Sequence, residues 1–212
     1  LLWRPFEAGS YRNEYPHDGP PPYADGKLLV MRRNGLWCHD ARTGDFLWRN
    51  DRPALPVPGG SPQGDGQVVV DGKVLVAWQE KGAGIETAAL DPATGKEAWH
   101  TSHEWTVRPT PEGVKVLSVR VSQGALGDKT WFVSAAANRE NGEGPFVGGI
   151  TMAIDPANGK QLWKNTEKAI GGWGGLNYRN GVLVAHHCMR GWQALEATTG
   201  KFLWESPKFS FG

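Results

Sequence analysis

ALDPATGKEAW, from Ala89 to Trp99, has three counterparts in the chain: CHDARTGDFLW (Cys38 to Trp48), AIDPANGKQLW (Ala153 to Trp163) and ALEATTGKFLW (Ala194 to Trp204). Each copy has an acid (Asp40, Asp91, Asp155 or Glu196), then Thr43, Thr94, Asn158 or Thr199, then Gly44, Gly95, Gly159 or Gly200. The acid can accept hydrogen bonds from turn N–H groups, and Gly takes the left-handed backbone that closes a short loop between antiparallel strands. Trp48, Trp99, Trp163 and Trp204 follow each Gly at a fixed distance. A large ring therefore ends the second strand in constant register, with about 150–250 Å² to bury against a neighbouring sheet.

A second phrase lies upstream of each copy: DGKLLV (Asp25 to Val30), DGKVLV (Asp71 to Val76), GDKTWFV (Gly127 to Val133) and NGVLV (Asn180 to Val184). Asp-Gly or Asn-Gly before a β-branched run signals a hairpin. Each repeat thus reads as four antiparallel strands, A to D, with tight A–B and C–D turns and variable B–C loops. That is a propeller blade. The expected class is all-β: about four complete blades near residues 16–50, 60–101, 108–165 and 172–206, in one segment spanning 1–212.

The phrase Ala-x-Asp-x-x-Thr-Gly-Lys-x-x-Trp resembles the tryptophan-docking repeat of the PQQ-type, or quinoprotein-like, β-propellers. The resemblance implies a repeat protein of seven or eight blades, usually eight, with a periplasmic or secreted home. That family includes alcohol dehydrogenases that bind pyrroloquinoline quinone. It also includes propellers that bind no cofactor, such as the scaffold lipoprotein of the outer-membrane barrel assembly machine.

Leu1-Leu2-Trp3-Arg4 repeats Phe46-Leu47-Trp48-Arg49, so residues 1–7 read as the last strand of a preceding blade, and the tail after Trp204 reads as the start of another. Four blades of ordinary width leave two open sheet edges, which invite association. A longer polypeptide, a chain seen only in part, or a half-ring pairing with a second copy would each resolve this. A four-bladed closed ring would need unusually wide angles between blades. The remaining blades, from the same or another chain, are thus one class of partner; a separate protein is another.

Hydrophobic residues at 39%, with 29 Gly and 15 Pro, suit a buried core with many short strands and turns. A net charge of +1 with scattered Lys and Arg gives no basic stripe, so nucleic acid is not an expected partner. No apolar run approaches the roughly 18 residues of a transmembrane segment. Cys38 and Cys188 define no disulfide framework and read as small buried hydrophobes.

The tight turns share one face of the disc, and everything irregular falls on the other. There lie the B–C loops, including Gln79 to Gly84, Asn138 to Gly149 and the corner His186-His187-Cys188-Met189-Arg190. The D–A connections, including Asn50 to Pro62, His100 to Pro111 and Asn165 to Gly175, lie there too. Loops on a rigid scaffold carry function, so a partner surface is expected on this face. His186, His187 and Cys188 are candidate metal ligands, weighed against adjacent strand residues pointing to opposite faces. His100, His103 and Glu104 lack the helix that zinc geometry would need. Trp105, Trp173 and Trp192 are candidate platforms for a planar cofactor or sugar, or else further wedges between blades.

Three functions follow. The first is a non-catalytic scaffold that binds a protein partner through the irregular face, with no cofactor. The second, implied by the resemblance, is a dehydrogenase using PQQ and calcium to oxidise an alcohol or sugar. Against it, the chain has no vicinal Cys-Cys pair, and few carboxylates lie outside the turns: Asp51, Asp65, Glu104, Glu140 and Glu143. The third is an extracellular carbohydrate-binding or hydrolytic propeller.

Overall fold

The computed structural model describes residues 23–32, 34–54, 66–70, 72–78, 84–105, 116–139, 148–167, 176–187 and 191–206. Strands β1 (Tyr23–Ala24), β2 (Lys27–Arg32), β3 (Asn34–Asp40) and β4 (Phe46–Ala54) form a first sheet. The second comprises β5 (Gly66–Val70), β6 (Val74–Trp78), β7 (Ile85–Leu90) and β8 (Glu97–His103). The third holds β9 (Val116–Gly127), β10 (Thr130–Arg139), β11 (Gly148–Ile154) and β12 (Gln161–Asn165), and the fourth β13 (Leu176–Arg179), β14 (Val182–His187), β15 (Gly191–Glu196) and β16 (Phe202–Glu205). Each is an antiparallel meander in chain order, so the described residues form a β-propeller segment of four blades. No helix of the described residues is long and apolar enough to cross a membrane.

The turns explain the meander. Asp25 and Gly26 have φ of 49° and 73°, and Asn180 and Gly181 have 49° and 78°. Two left-handed residues in succession match the right-handed twist of the flanking strands. Asp128 and Lys129 make the equivalent turn with φ of 47° and 61° and no Gly at either position. At the C–D turns, Asp40 Oδ1 accepts from the backbone N–H of Arg42 and Thr43 at 2.9 Å, and Asp91 Oδ1 from those of Ala93 and Thr94 at 2.8 Å. The N–H groups of Thr43 and Thr94 are the main reason that both carboxyls titrate below the ordinary Asp range.

Alternation along the strands sends successive side chains to opposite neighbouring blades. Leu29, Leu36, Cys38 and Trp48 of the first blade pack against Val74, Val76, Trp78, Ala88 and Leu90 of the second. The second meets the third through Leu75, Ile85, Trp131 and Met152 among others, and the third meets the fourth through Phe132, Leu183 and Leu195. Strand β5 lies against β9 and β9 against β13, so first strands converge at one edge while fourth strands form the other.

Candidate functional site

Three joints between blades share one construction. Trp48 Nε1–H donates to Pro92 O at 3.0 Å, Trp99 to Pro156 O at 3.0 Å and Trp163 to Ala197 O at 2.9 Å. Each ring lies over the turn glycine of the next blade: a Cβ on Gly95, Gly159 or Gly200 would come within 2.7 Å of the indole of Trp48, Trp99 or Trp163. Glycine is needed there both for its positive φ and for this close approach. Two residues beyond the indole, Asn50 Nδ2 donates to Gly95 O at 2.8 Å and Asn165 Nδ2 to Gly200 O at 2.7 Å. Sequence reading overlooked this second rung, although Trp-x-Asn at 48/50 and again at 163/165 signals it.

The joint between the first and second blades carries a third rung. From the first blade, Arg52 Nε pairs with Glu97 at 2.8 Å and its Nη1 donates to His100 Nδ1 at 3.0 Å. His100 stacks on Trp78 with ring centroids 5.6 Å apart. Its Nε2 stands 2.8 Å from Glu86 Oε2, a charge-contact distance without the angle of a hydrogen bond. Ser102 Oγ donates to the same Glu86 oxygen at 2.6 Å. Glu86 is buried, and it was not among the carboxylates the sequence singled out. Its signal was the one acid in strand C, IETAAL.

His103, in the spacing His-x-x-His with His100, faces the opposite side of β8 and the third blade. Its Nε2 is 2.7 Å from Thr87 Oγ1, and its ring is buried. The two histidines therefore serve separate joints and share no centre. Burial lowers the His103 pKa below its ordinary value of about 6.5, against an opposing pull from Glu86. The unfolded chain then binds the proton more readily than the folded one, so stability is fully present above about pH 6.5 and falls as the pH drops toward the lowered folded value. Urea midpoints measured at decreasing pH should show this acid limb, and His103→Gln should flatten it.

The other candidates fall in different surroundings. Trp105 is 5% exposed and packs among Val121, Trp131 and Ile150, the place of a wedge between the second and third blades. Trp192 is 43% exposed at the start of β15. It occupies the repeat position of Leu36, Thr87 and Thr151, all wholly buried in joints. Trp173, Cys188 and residues 1–7 lie outside the described residues, as do 79–83 and 140–147 of the irregular loops. His186 and His187 pair in register with Trp192 and Gly191, and their side chains are likewise outside the description. Cys38 is a free buried thiol whose pKa burial pushes up to about 11, so it stays neutral.

The described residues do not fit a quinone–calcium centre. No three of His, Cys, Asp or Glu among them gather as a metal site. Glu86 is taken up by Ser102 and His100, and Cys38 has no cysteine beside it in sequence.

Serial four-stranded blades joined by an indole over a glycine define a quinoprotein-like propeller. The chain belongs to the family described as outer membrane protein assembly factor BamB, which matches residues 1–143. Similar solved structures include BamB from Moraxella catarrhalis, 17% identical with a TM-score of 0.53 over 90% of this chain and 51% of that one. Europium-containing methanol dehydrogenase is 18% identical with a TM-score of 0.58 over 89% and 41%. Quinohemoprotein alcohol dehydrogenase from Comamonas testosteroni is 16% identical with a TM-score of 0.56 over 88% and 34%. At these identities the likeness is one of fold, and the chain spans about half the length of the BamB structure or less of the others. No curated protein matches it.

Proposed function

We propose that this chain is a non-catalytic binding or scaffold segment, extracytoplasmic in location, that holds a protein partner on the face formed by its B–C loops and D–A connections. The observation that supports this best is where its reactive-looking side chains are spent. Arg52, Glu86, His100 and His103 lie near this face, and all four are engaged in the joints between blades. The face is left to its loops, which vary in length from blade to blade while the opposite turns stay uniform. Loops of that kind on a rigid frame suit partner recognition. The family match to an assembly factor points the same way.

Photo-crosslinking groups at Gln79 and Glu143, in the sequence segments between strands B and C, compared with Lys73 and Lys160 at the turns, test the reading in extracts of the source cells. Adducts with a protein partner are expected from the loop positions alone. Addition of PQQ with calcium should give neither quinone uptake nor dye-linked alcohol oxidation. Saturable uptake with turnover would replace the scaffold by a dehydrogenase.

A further inference from the structure

We infer that the joint between the first and second blades carries an acid-sensitive latch, in which protonated His100 lets go of Arg52, keeps Glu86, and so frees the end of β4. The inference stands apart from the loop-face reading and needs no partner. Trp48, Asn50 and Arg52 are three successive ties from β4 to the second blade, and Arg52 is the outermost. Its own N–H donates to Asn50 Oδ1 at 3.0 Å, which links the last two ties. In the second joint the places of Arg52 and His100 are taken by His103 and Lys164, and in the third by Glu167 and Glu205. A guanidinium set on an imidazole nitrogen is thus particular to the first joint among the described residues.

The contacts assign the proton. A guanidinium has donors only, so Arg52 Nη1 at 3.0 Å from His100 Nδ1 requires a lone pair on that nitrogen. The ring is therefore neutral, with its hydrogen on Nε2, the atom 2.8 Å from Glu86 Oε2. A second proton enters at Nδ1. There it turns the acceptor into a donor facing a donor and sets two cations side by side, so the bond to Arg52 is lost outright. The ring keeps its seat: the imidazolium gains the attraction of Glu86 and lies stacked on Trp78, with ring centroids 5.6 Å apart and 15° between planes. Arg52 retains Glu97 at 2.8 Å. The charged and titratable groups about the ring are thus Arg52 from β4, Glu86 from β7, and Glu97 and His103 from its own strand, with Trp78 of β6 and Ser102 neutral.

Heteronuclear NMR of the imidazole nitrogens, with hydrogen-exchange protection of the Arg52 amide, tests the latch in the 212-residue chain between about pH 7.5 and about pH 5.5, where histidine changes charge. At the upper end His100 should carry its hydrogen on Nε2 alone. As its ring titrates, the Arg52 protection factor, corrected for the intrinsic pH dependence of exchange, should fall about fivefold, the worth of one hydrogen bond. His100→Asn keeps an acceptor near the place of Nδ1 at every pH, so protection should hold through the acid range. Arg52→Met has no side-chain donor, so its amide should be weakly protected at both ends and the His100 ring should lose its preference for the Nε2 hydrogen. A His100 hydrogen on Nδ1 at about pH 7.5 would overturn the inference. So would protection at Arg52 that stays level while His100 titrates, or that falls as far in His100→Asn, since another group would then be responsible. If either variant fails to fold, the ring hydrogen and the Arg52 protection of the parent chain still decide.

Discussion

Trp48→Ala should remove about 4 kcal/mol of stability from the 212-residue chain, the cost of emptying a buried aromatic site, while the chemically identical Trp204→Ala should remove less than about 1 kcal/mol. The repeat makes the two residues equivalent in sequence. What separates them is the neighbour: Trp48 packs on Gly95 and donates to Pro92 O at 3.0 Å, whereas Trp204 is half exposed. A small domain has roughly 5–15 kcal/mol in hand, so the first change takes a large part of the total. Urea titrations at submicromolar protein, followed by circular dichroism, read the difference as a shift of midpoint. Equal losses would mean that the joints contribute little beyond ring burial within the blade.

The glycines give the second large contrast. Gly95→Ala should cost about 3 kcal/mol, and Gly44→Ala about 1 kcal/mol. Both residues have positive φ, 70° and 80°, and each Ala bears the same backbone strain of about 1–2 kcal/mol. At Gly95 alone the new methyl meets the Trp48 ring, an overpacking term worth about 1–3 kcal/mol more. Denaturant midpoints of the two variants should therefore separate clearly. If they coincide, the indole has room to move aside and the close approach carries no energy.

Much of the architecture was legible because the turn chemistry is local. Asp-Gly and Asn-Gly before β-branched runs fix hairpins whatever surrounds them, and the left-handed pairs at Asp25–Gly26 and Asn180–Gly181 are the physical form of that signal. The constant interval from turn Gly to Trp was equally readable, since it records a register. The polar contacts across the joints were not. Arg52 meets Glu97 and His100 only because two blades lie side by side, and nothing within one repeat announces it. Glu86 escaped notice for a related reason: a single acid in IETAAL acquires meaning only when β8 brings Ser102 and His100 to it. His100 and His103 invited a shared-ligand reading through their spacing, but an odd interval on a strand sends them to opposite faces. The exposed Trp192 and Trp204 could be told from their more buried counterparts only with the neighbouring blades in view.

The account rests on rings and glycines acting as coupled pairs, and a double-mutant cycle at Trp99 and Gly159 tests that most directly. The ring of Trp99 lies where a Cβ on Gly159 would stand, so removing the ring removes the aromatic part of the clash and leaves only the Thr101 Oγ1 contact at 2.7 Å. Gly159→Ala should then cost about 2 kcal/mol less in the Trp99→Ala background than in the parent, a coupling well above the roughly 0.5 kcal/mol scatter of independent sites. Losses that simply add within that scatter would show that the indole and the glycine do not meet, and the joints as described would be wrong.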